Sequence, residues 1–259
     1  MQAILYVCHG SRLKTACEEA ISFIERCQKH ITADIHQICF LELANPSIEE
    51  GFGACVKKGA THIAVVPLLL LTAVHAKKDI PDELRHLVIK YPNVTVTYGR
   101  PIGVHEKLAW SVIDRIKEKQ ALSTDSTIVL IGRGSTDPEV ERDLRALGNL
   151  VRKHSGISDV RTCFLTAAKP SFSSILSEVS LMKNRNIIFV PYLLFTGLLM
   201  KEIEKNIATL SDGVTLCRYL GCDSKVEEVF IERVIETLVN KNYQYSFSTR
   251  GLIHAAIND

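Results

Sequence analysis

The sequence contains the same unit twice. Residues 39–47 (CFLELANPS) and residues 163–171 (CFLTAAKPS) share six of nine positions at an offset of 124. The same offset pairs two further segments, Gly10-Ser11 with Gly134-Ser135 and Val66-Pro67 with Val190-Pro191. Three separated segments with one offset indicate the duplication of a unit of about 120 residues.

Each copy alternates short apolar runs with amphipathic segments. In the first copy, strands are predicted at Ala3–Cys8, Asp34–Leu41, Ile63–Leu71 and Val94–Tyr98. Helices are predicted at Leu13–Lys29, from a cap at Asn45-Pro46, from Asp79-Ile80-Pro81 and at Val104–Lys119. The second copy repeats this order, with strands at Thr127–Gly132, Val160–Leu165, Ile187–Leu194 and Val214–Tyr219 and a helix start at Asp137-Pro138.

Strands that alternate with helices favour parallel sheets with right-handed crossovers. We therefore predict an α/β fold of two tandem, duplicated three-layer α/β/α domains, each with a parallel four-stranded sheet. The predicted domains are an N-terminal α/β domain at residues 1–120 and a C-terminal α/β repeat at residues 126–240, and a tail follows at residues 241–259.

Composition excludes several classes of protein. The net charge of +2 is too balanced for a nucleic-acid-binding surface. The longest apolar stretch, Ile63 to Val74, contains Pro67 and is shorter than the ~20 residues of a membrane-spanning helix. The N-terminal residues do not resemble an export signal. The cysteines form no CxxC pair, and this spacing is typical of buried, reduced thiols. We expect a cytoplasmic protein without nucleic-acid or membrane partners.

Three potential metal ligands follow three predicted strands of the first copy, namely His9, Glu42 and His75. The carboxyl ends of parallel strands meet at one edge of a sheet, and open α/β sheets bind their ligands there. Two imidazoles and one carboxylate suit a divalent ion such as Fe²⁺ or Co²⁺ and leave coordination positions open. The sequence therefore predicts a metal site, and the same three residues as the catalytic residues.

The second copy serves as an internal control. At the offset of 124, the counterparts of His9, Glu42 and His75 are Arg133, Thr166 and Leu199. The flanking residues persist while all three candidate ligands are replaced together. This pattern favours a role in binding rather than in folding, although each residue alone is compatible with a structural role.

The turns after the first strand of each copy carry polar and basic residues. Gly10-Ser11-Arg12 and its counterpart at residues 134–136 lie between a strand and a helix, where backbone N–H groups can bind an anion. We predict that Ser11, Arg12, Lys77 and Arg133 bind an anionic substrate, and Lys78, Arg100 and Lys201 would add positive charge. Neither turn is a full dinucleotide fingerprint or a Walker loop, so a nucleotide-binding protein is a weaker alternative.

Three segments resemble a known family of enzymes. The opening ILYVCHGSR, the segment FLELANP and the segment VVPLLLLTAVHAKKDIP are similar to the class II tetrapyrrole chelatases, and the likeness covers the whole chain. The resemblance is greatest to the long, two-domain sirohydrochlorin ferrochelatases, with the sirohydrochlorin cobaltochelatases as near relatives. The family pattern usually has glycine where Cys8 stands in this chain.

The resemblance implies a lyase-class metal chelatase with a cleft between two similar domains. His9, Glu42 and His75 would hold Fe²⁺ as a substrate metal, and sirohydrochlorin, which carries eight carboxylates, would receive it to form siroheme, with no permanently bound cofactor. A histidine would accept the pyrrole protons. Insertion of Co²⁺ for cobalamin synthesis and a non-catalytic carrier of metal or tetrapyrrole are the alternatives. Two covalently joined halves favour a monomer.

Overall fold

The structure is a computed structural model, and it describes residues 1–182, 186–210, 213–239, 247–248 and 251–252. The chain forms two compact units. The first contains Met1–Ile102 and the described residues from Glu227 onwards, and the second contains the described residues of Gly103–Val226.

The first repeat forms a parallel sheet of four strands in the order β2-β1-β3-β4. The strands are β1 (Gln2–Cys8), β2 (Ile35–Phe40), β3 (His62–Leu68) and β4 (Thr95–Tyr98). The helices are α1 (Lys14–Gln28), α2 (Ile48–Lys57), α3 (Ile80–Lys90) and α4 (Glu106–Lys117). A π-helical turn, His75–Asp79, leads directly into α3.

The second repeat has the same topology, with the strand order β6-β5-β7-β8. Its strands are β5 (Thr127–Gly132), β6 (Asp159–Phe164), β7 (Ile187–Pro191) and β8 (Val214–Leu216). Its helices are α5 (Pro138–Ser155), α6 (Phe172–Ser180), α7 (Leu198–Ile207) and α8 (Ser224–Val239). Two short antiparallel strands, β9 (Phe247–Ser248) and β10 (Gly251–Leu252), fall within the predicted tail, which otherwise lies outside the described residues.

Helices cover both faces of each sheet, which confirms the predicted fold class. In the first unit, α2 and α3 pack on one face of the sheet. On the other face, Phe230 of α8 contacts Phe23 of α1 and Tyr6 of β1. In the second unit, α6 and α7 cover one face, and α4 packs against α5 and β7.

The last helix of each repeat therefore packs outside its own repeat. The compact units divide after Ile102 and after Val226, whereas the predicted domains divide at residues 120–126 and 240. An amphipathic helix must bury its apolar stripe, but either sheet can supply the apolar surface. The boundaries of the sequence repeats and those of the compact units therefore fall at different residues.

Helix α2 begins later than the sequence predicts. Its N-cap is Ser47, whose side chain accepts a hydrogen bond from the Glu50 N–H, while the Glu50 side chain accepts one from the Ser47 N–H. The Asn45–Pro46 peptide bond is cis, and the Pro46 carbonyl accepts a hydrogen bond from the Phe40 N–H. Pro46 thus belongs to the segment before the helix, because its carbonyl is bonded to β2.

Replacing Ser47 with alanine is expected to lower the free energy of unfolding by about 1 kcal/mol, because it leaves a first-turn N–H without its acceptor. Urea titration measures this change. Ser171 caps α6 in the same position of the second repeat, so Ser171→Ala is the matched variant. If both variants were as stable as the wild-type protein, the assignment of these caps would be contradicted.

Among the residues that the structure describes, no helix combines the length and the apolar character that a membrane span requires.

Candidate metal centre

The register of the first sheet brings three strand ends to one level. Cys8 at the end of β1 pairs with Phe40 of β2 on one side and with Leu68 of β3 on the other. The chain segments that leave these strands therefore start from the same edge. This register places His9 and Glu42 side by side, with the loop to His75 next to them.

Backbone hydrogen bonds hold His9 and Glu42 together. The Leu41 N–H donates to the Cys8 carbonyl at 2.8 Å, and the Glu42 N–H donates to the His9 carbonyl at 3.1 Å. Gly10 follows with φ at +91°, and a Cβ atom on it would lie 1.7 Å from the Glu42 carbonyl oxygen. Only glycine permits this close approach of the two loops.

His75 begins the π-helical turn that precedes α3. The turn is closed by a hydrogen bond from the Ile80 N–H to the His75 carbonyl. The Nδ1 atom of His75 lies 2.7 Å from Oδ2 of Asp79, four residues later in the same turn. π-helical turns are rare and occur often at functional sites.

The three predicted ligands converge. One ligand atom from each of His9, Glu42 and His75 lies within 4.8 Å of the other two. His9 Nε2 and Glu42 Oε1 are 3.5 Å apart, and the two imidazole rings meet edge to face with centroids 4.9 Å apart. At bond lengths of about 2.1 Å, two atoms on one ion are at most about 4.2 Å apart, so small rotations would close the set around a cation.

The site is open to solvent on one side. The side chains of His9 and His75 are 26% and 28% exposed, and that of Glu42 is 45% exposed. Two exposed apolar residues, Leu43 and Val74, are the chain neighbours of Glu42 and His75. The arrangement can therefore hold a cation with three ligands and leave its remaining positions accessible.

Cys8 does not join the ligand set, although it precedes His9. Its side chain is buried in the core, and burial, with a further contribution from Cys17, raises the pKa of the Cys8 thiol. The thiolate is the form that binds metal, so Cys8 remains a protonated core residue. The predicted buried thiols are found at six of the eight cysteines, while Cys17 is half-buried and Cys222 is exposed.

The equivalent edge of the second sheet has the same backbone without the ligands. The Leu165 N–H donates to the Gly132 carbonyl at 3.0 Å, and the Thr166 N–H donates to the Arg133 carbonyl at 2.9 Å. Gly134 repeats the φ of +91°, and its Cβ would lie 1.9 Å from the Thr166 carbonyl oxygen. Within the described residues, the His9, Glu42 and His75 group is the one cluster of three potential ligands.

The residues predicted to bind an anionic substrate take different positions. Ser11 is half-buried, and its hydroxyl accepts a hydrogen bond from the Leu13 N–H at 3.1 Å, which stabilises the turn before α1. Arg12, in the same turn, and Lys77, in the π-helical turn, are both exposed. Arg133 is exposed at the end of β5, in the second compact unit. They remain predictions as substrate-binding residues.

Three further cations were predicted to add positive charge. Lys78 and Lys201 are exposed. Arg100 makes two hydrogen bonds to the carboxylate of Glu236, at 2.9 and 2.8 Å. The same carboxylate also pairs with Arg233, so it offsets only part of the positive charge of these two arginines.

The contact of Asp79 with His75 is not evident from the sequence. The pattern Asp79-Ile80-Pro81 assigns it only to the start of a helix. The spacing of four residues between His75 and Asp79 is the signal for the contact, because such residues lie on one face of a helical turn. That signal depends on the helical turn beginning at His75, which the sequence does not predict.

Comparisons with known proteins agree with the fold and with the repeat. The chain matches the CbiX family twice, over residues 3–119 and residues 127–237. It is 46% identical over 258 residues to the sirohydrochlorin ferrochelatase of Bacillus subtilis (strain 168). The aligned region covers 98% of this chain and 99% of the relative.

The solved structures that are similar to this chain include two of SirB. SirB from Bacillus subtilis with Fe³⁺ has a TM-score of 0.88 at 47% identity and covers 95% of this chain and 99% of its own. The sirohydrochlorin chelatase SirB from Bacillus subtilis subspecies spizizenii in complex with cobalt has a TM-score of 0.85 at 45% identity, with the same coverage. With both repeats matched and nearly the full length shared, the chain belongs to the CbiX family.

Proposed function

We propose that this protein inserts Fe²⁺ into sirohydrochlorin to form siroheme, and that His9, Glu42 and His75 hold the metal before its transfer. The observation that carries the proposal is the convergence of these three ligands within 4.8 Å at an open sheet edge. The ferrochelatase relative from Bacillus subtilis supports the choice of substrate.

An open three-ligand site suits transfer better than a closed one. A fourth protein ligand would complete a tetrahedral cage and slow the release of metal. Partial exposure of all three side chains leaves one side of the cation free for the macrocycle. Leu43 and Val74, exposed beside two of the ligands, offer apolar contacts to its flat face.

Charge balance requires that protons be accepted when the metal is inserted. Insertion of Fe²⁺ into the macrocycle releases two protons from pyrrole nitrogens. A neutral imidazole can act as a general base, and its lone pair becomes available once it has released the metal. We infer that His9 and His75 each release the metal and each accept one of the two protons. The reaction would place the protein among the lyases.

We further propose that Ser11 and the basic residues Arg12, Lys77 and Arg133 bind the substrate carboxylates. Ser11, Arg12 and Lys77 lie in the turns that carry His9 and His75, and Arg133 occupies the position of His9 in the second repeat. Arg12 and Lys77, in the turns that carry the two histidines, would raise the local concentration of an anionic macrocycle even though the chain is nearly neutral. One chain carries one such ligand set among its described residues, so we expect a monomer to be active.

A second candidate is insertion of Co²⁺ into the same macrocycle. The cobalt complex of a SirB from Bacillus subtilis subspecies spizizenii supports it. Imidazole and carboxylate ligands accept both ions, with tighter binding expected for Co²⁺, so geometry alone does not decide between them. Turnover of both metals under one set of conditions ranks the two activities.

A turnover assay tests the proposal. Protein at a concentration far below that of metal-free sirohydrochlorin is mixed with Fe²⁺ or Co²⁺ without oxygen, and the absorbance spectrum of the macrocycle is followed. We expect many turnovers per protein molecule. Conversion that stops at one equivalent would indicate a carrier, and a rate equal to that without protein would contradict the proposal.

A further inference from the structure

We propose that Asp79 is a positioning residue for the metal site, and that its carboxylate accepts the Nδ1–H of His75 so that Nε2 faces the cation. The inference rests on the proposed metal site, and it adds a residue outside the set of three ligands. Its basis is the distance of 2.7 Å between His75 Nδ1 and Asp79 Oδ2.

A carboxylate can act on a histidine ligand in two ways. Its hydrogen bond fixes which ring nitrogen carries the proton, and it also fixes the orientation of the ring. In the neutral imidazole one nitrogen donates and the other accepts. With Nδ1–H bonded to Asp79, Nε2 keeps its lone pair for a metal ion.

The two histidines of the site have different partners. His9 Nδ1 lies 3.1 Å from the Gly10 carbonyl oxygen, which can only accept, so His9 also presents Nε2. The partner of His75 is a charged carboxylate, which forms a stronger hydrogen bond than a neutral carbonyl does. The Nδ1 contact of His75 is therefore the stronger of these two contacts.

Asp79 has no role in the capping of α3. It stands at the N-cap position with helical dihedral angles, φ −64° and ψ −49°, and its side chain makes no capping hydrogen bond. Asp79 is 40% exposed, so burial does not explain it either. The His75 contact is the interaction that the local geometry provides for this carboxylate.

The second repeat separates the needs of the fold from those of the site. At the offset of 124, His75 and Asp79 correspond to Leu199 and Ile203. Helix α7 begins directly at Leu198 as an α-helix, and Ile203 is fully buried in the core. The same fold is thus built with two apolar residues, and the acid is present where the histidine is present.

Two variants of Asp79 test the proposal in the full-length protein. Asp79→Ala removes both the charge and the acceptor, whereas Asp79→Asn removes the charge and keeps an acceptor oxygen. We expect Asp79→Ala to weaken Co²⁺ binding about 10- to 100-fold, measured by titration of the cobalt absorption bands. Asp79→Asn is expected to lose less affinity, because the orienting bond can still form.

A tautomer measurement distinguishes positioning from a structural effect. Long-range ¹H–¹⁵N spectra of the metal-free protein report which ring nitrogen of His75 carries the proton. Comparison with His75→Ala assigns the signals. We expect the Nδ1–H form in the wild-type protein and in Asp79→Asn, and a mixture of both forms in Asp79→Ala. An unchanged tautomer and unchanged cobalt affinity in Asp79→Ala would overturn the proposal.

Asp82→Ala is the matched control. Asp82 is 38% exposed, lies in the first turn of α3 and pairs with Arg85, so its removal changes the local charge by the same amount without touching His75. Equal losses of Co²⁺ affinity in Asp79→Ala and Asp82→Ala would assign the effect to charge and contradict the positioning role.

The tests of the two proposals are independent. Cobalt affinity and the His75 tautomer are measured without sirohydrochlorin, and the turnover assay needs no variant. Cobalt binding that depends on Asp79, without turnover, would reject the proposed function and keep the positioning role. Turnover by the wild-type protein, together with wild-type cobalt affinity in Asp79→Ala, would keep the proposed function and reject the positioning role.

Discussion

Replacing His75 with alanine is expected to reduce Fe²⁺ insertion more than about 100-fold. Loss of a residue that only orients a metal ligand costs 10- to 100-fold, and loss of the ligand itself should reach or exceed the upper end of that range. His75 is partly exposed, and its counterpart Leu199 shows that the fold does not require a histidine there. We therefore expect insertion to be lost and the thermal unfolding temperature to be kept.

The insertion rate and the cobalt affinity of His75→Ala are measured side by side. His62→Ala is the control, because His62 is exposed at the start of β3, at the opposite end of the same sheet. That variant should behave like the wild-type protein. Wild-type turnover in both His75→Ala and His9→Ala would remove the metal site from the mechanism.

Gly10→Ala is expected to disrupt the site through the backbone. A Cβ atom at this position would lie 1.7 Å from the Glu42 carbonyl oxygen, a backbone atom that cannot rotate away. The loops carrying His9 and Glu42 must then separate, and displacements of about 1 Å can cost on the order of 100-fold in rate. The positive φ adds about 1–2 kcal/mol of destabilisation for any residue with a side chain.

Gly134→Ala separates the two effects. Gly134 has the same φ of +91°, and its Cβ would lie 1.9 Å from the Thr166 carbonyl oxygen, so the strain is nearly equal. We expect the two variants to lose similar stability in urea titrations, and only Gly10→Ala to lose cobalt affinity. Equal loss of metal binding in both would show that the effect is general destabilisation rather than local distortion.

The duplicated α/β fold and the three converging residues were predictable from the sequence. Alternation of apolar runs and amphipathic segments specifies strands and helices, and parallel strands place their carboxyl ends at one edge. His9, Glu42 and His75 each follow a strand, so their convergence required no knowledge of distant contacts. Their joint absence from the second repeat marked them as a group.

The detail around these residues depended on local hydrogen bonds. The N-cap of α2 is Ser47 rather than Asn45, because the Pro46 carbonyl accepts a hydrogen bond from the Phe40 N–H of β2. The contact of Asp79 with His75 exists because a π-helical turn begins at His75. The residue types allow both contacts, and the starting residues of the helical turns select them.

The sequence by itself determined the repeat, the order of strands and helices, and the edge of the sheet where the ligands meet, since these follow from periodicity along the chain. Only the tertiary structure decided which sheet the last helix of each repeat packs against. The apolar stripe of a helix indicates that this face must be buried, but it does not indicate which sheet the helix packs against.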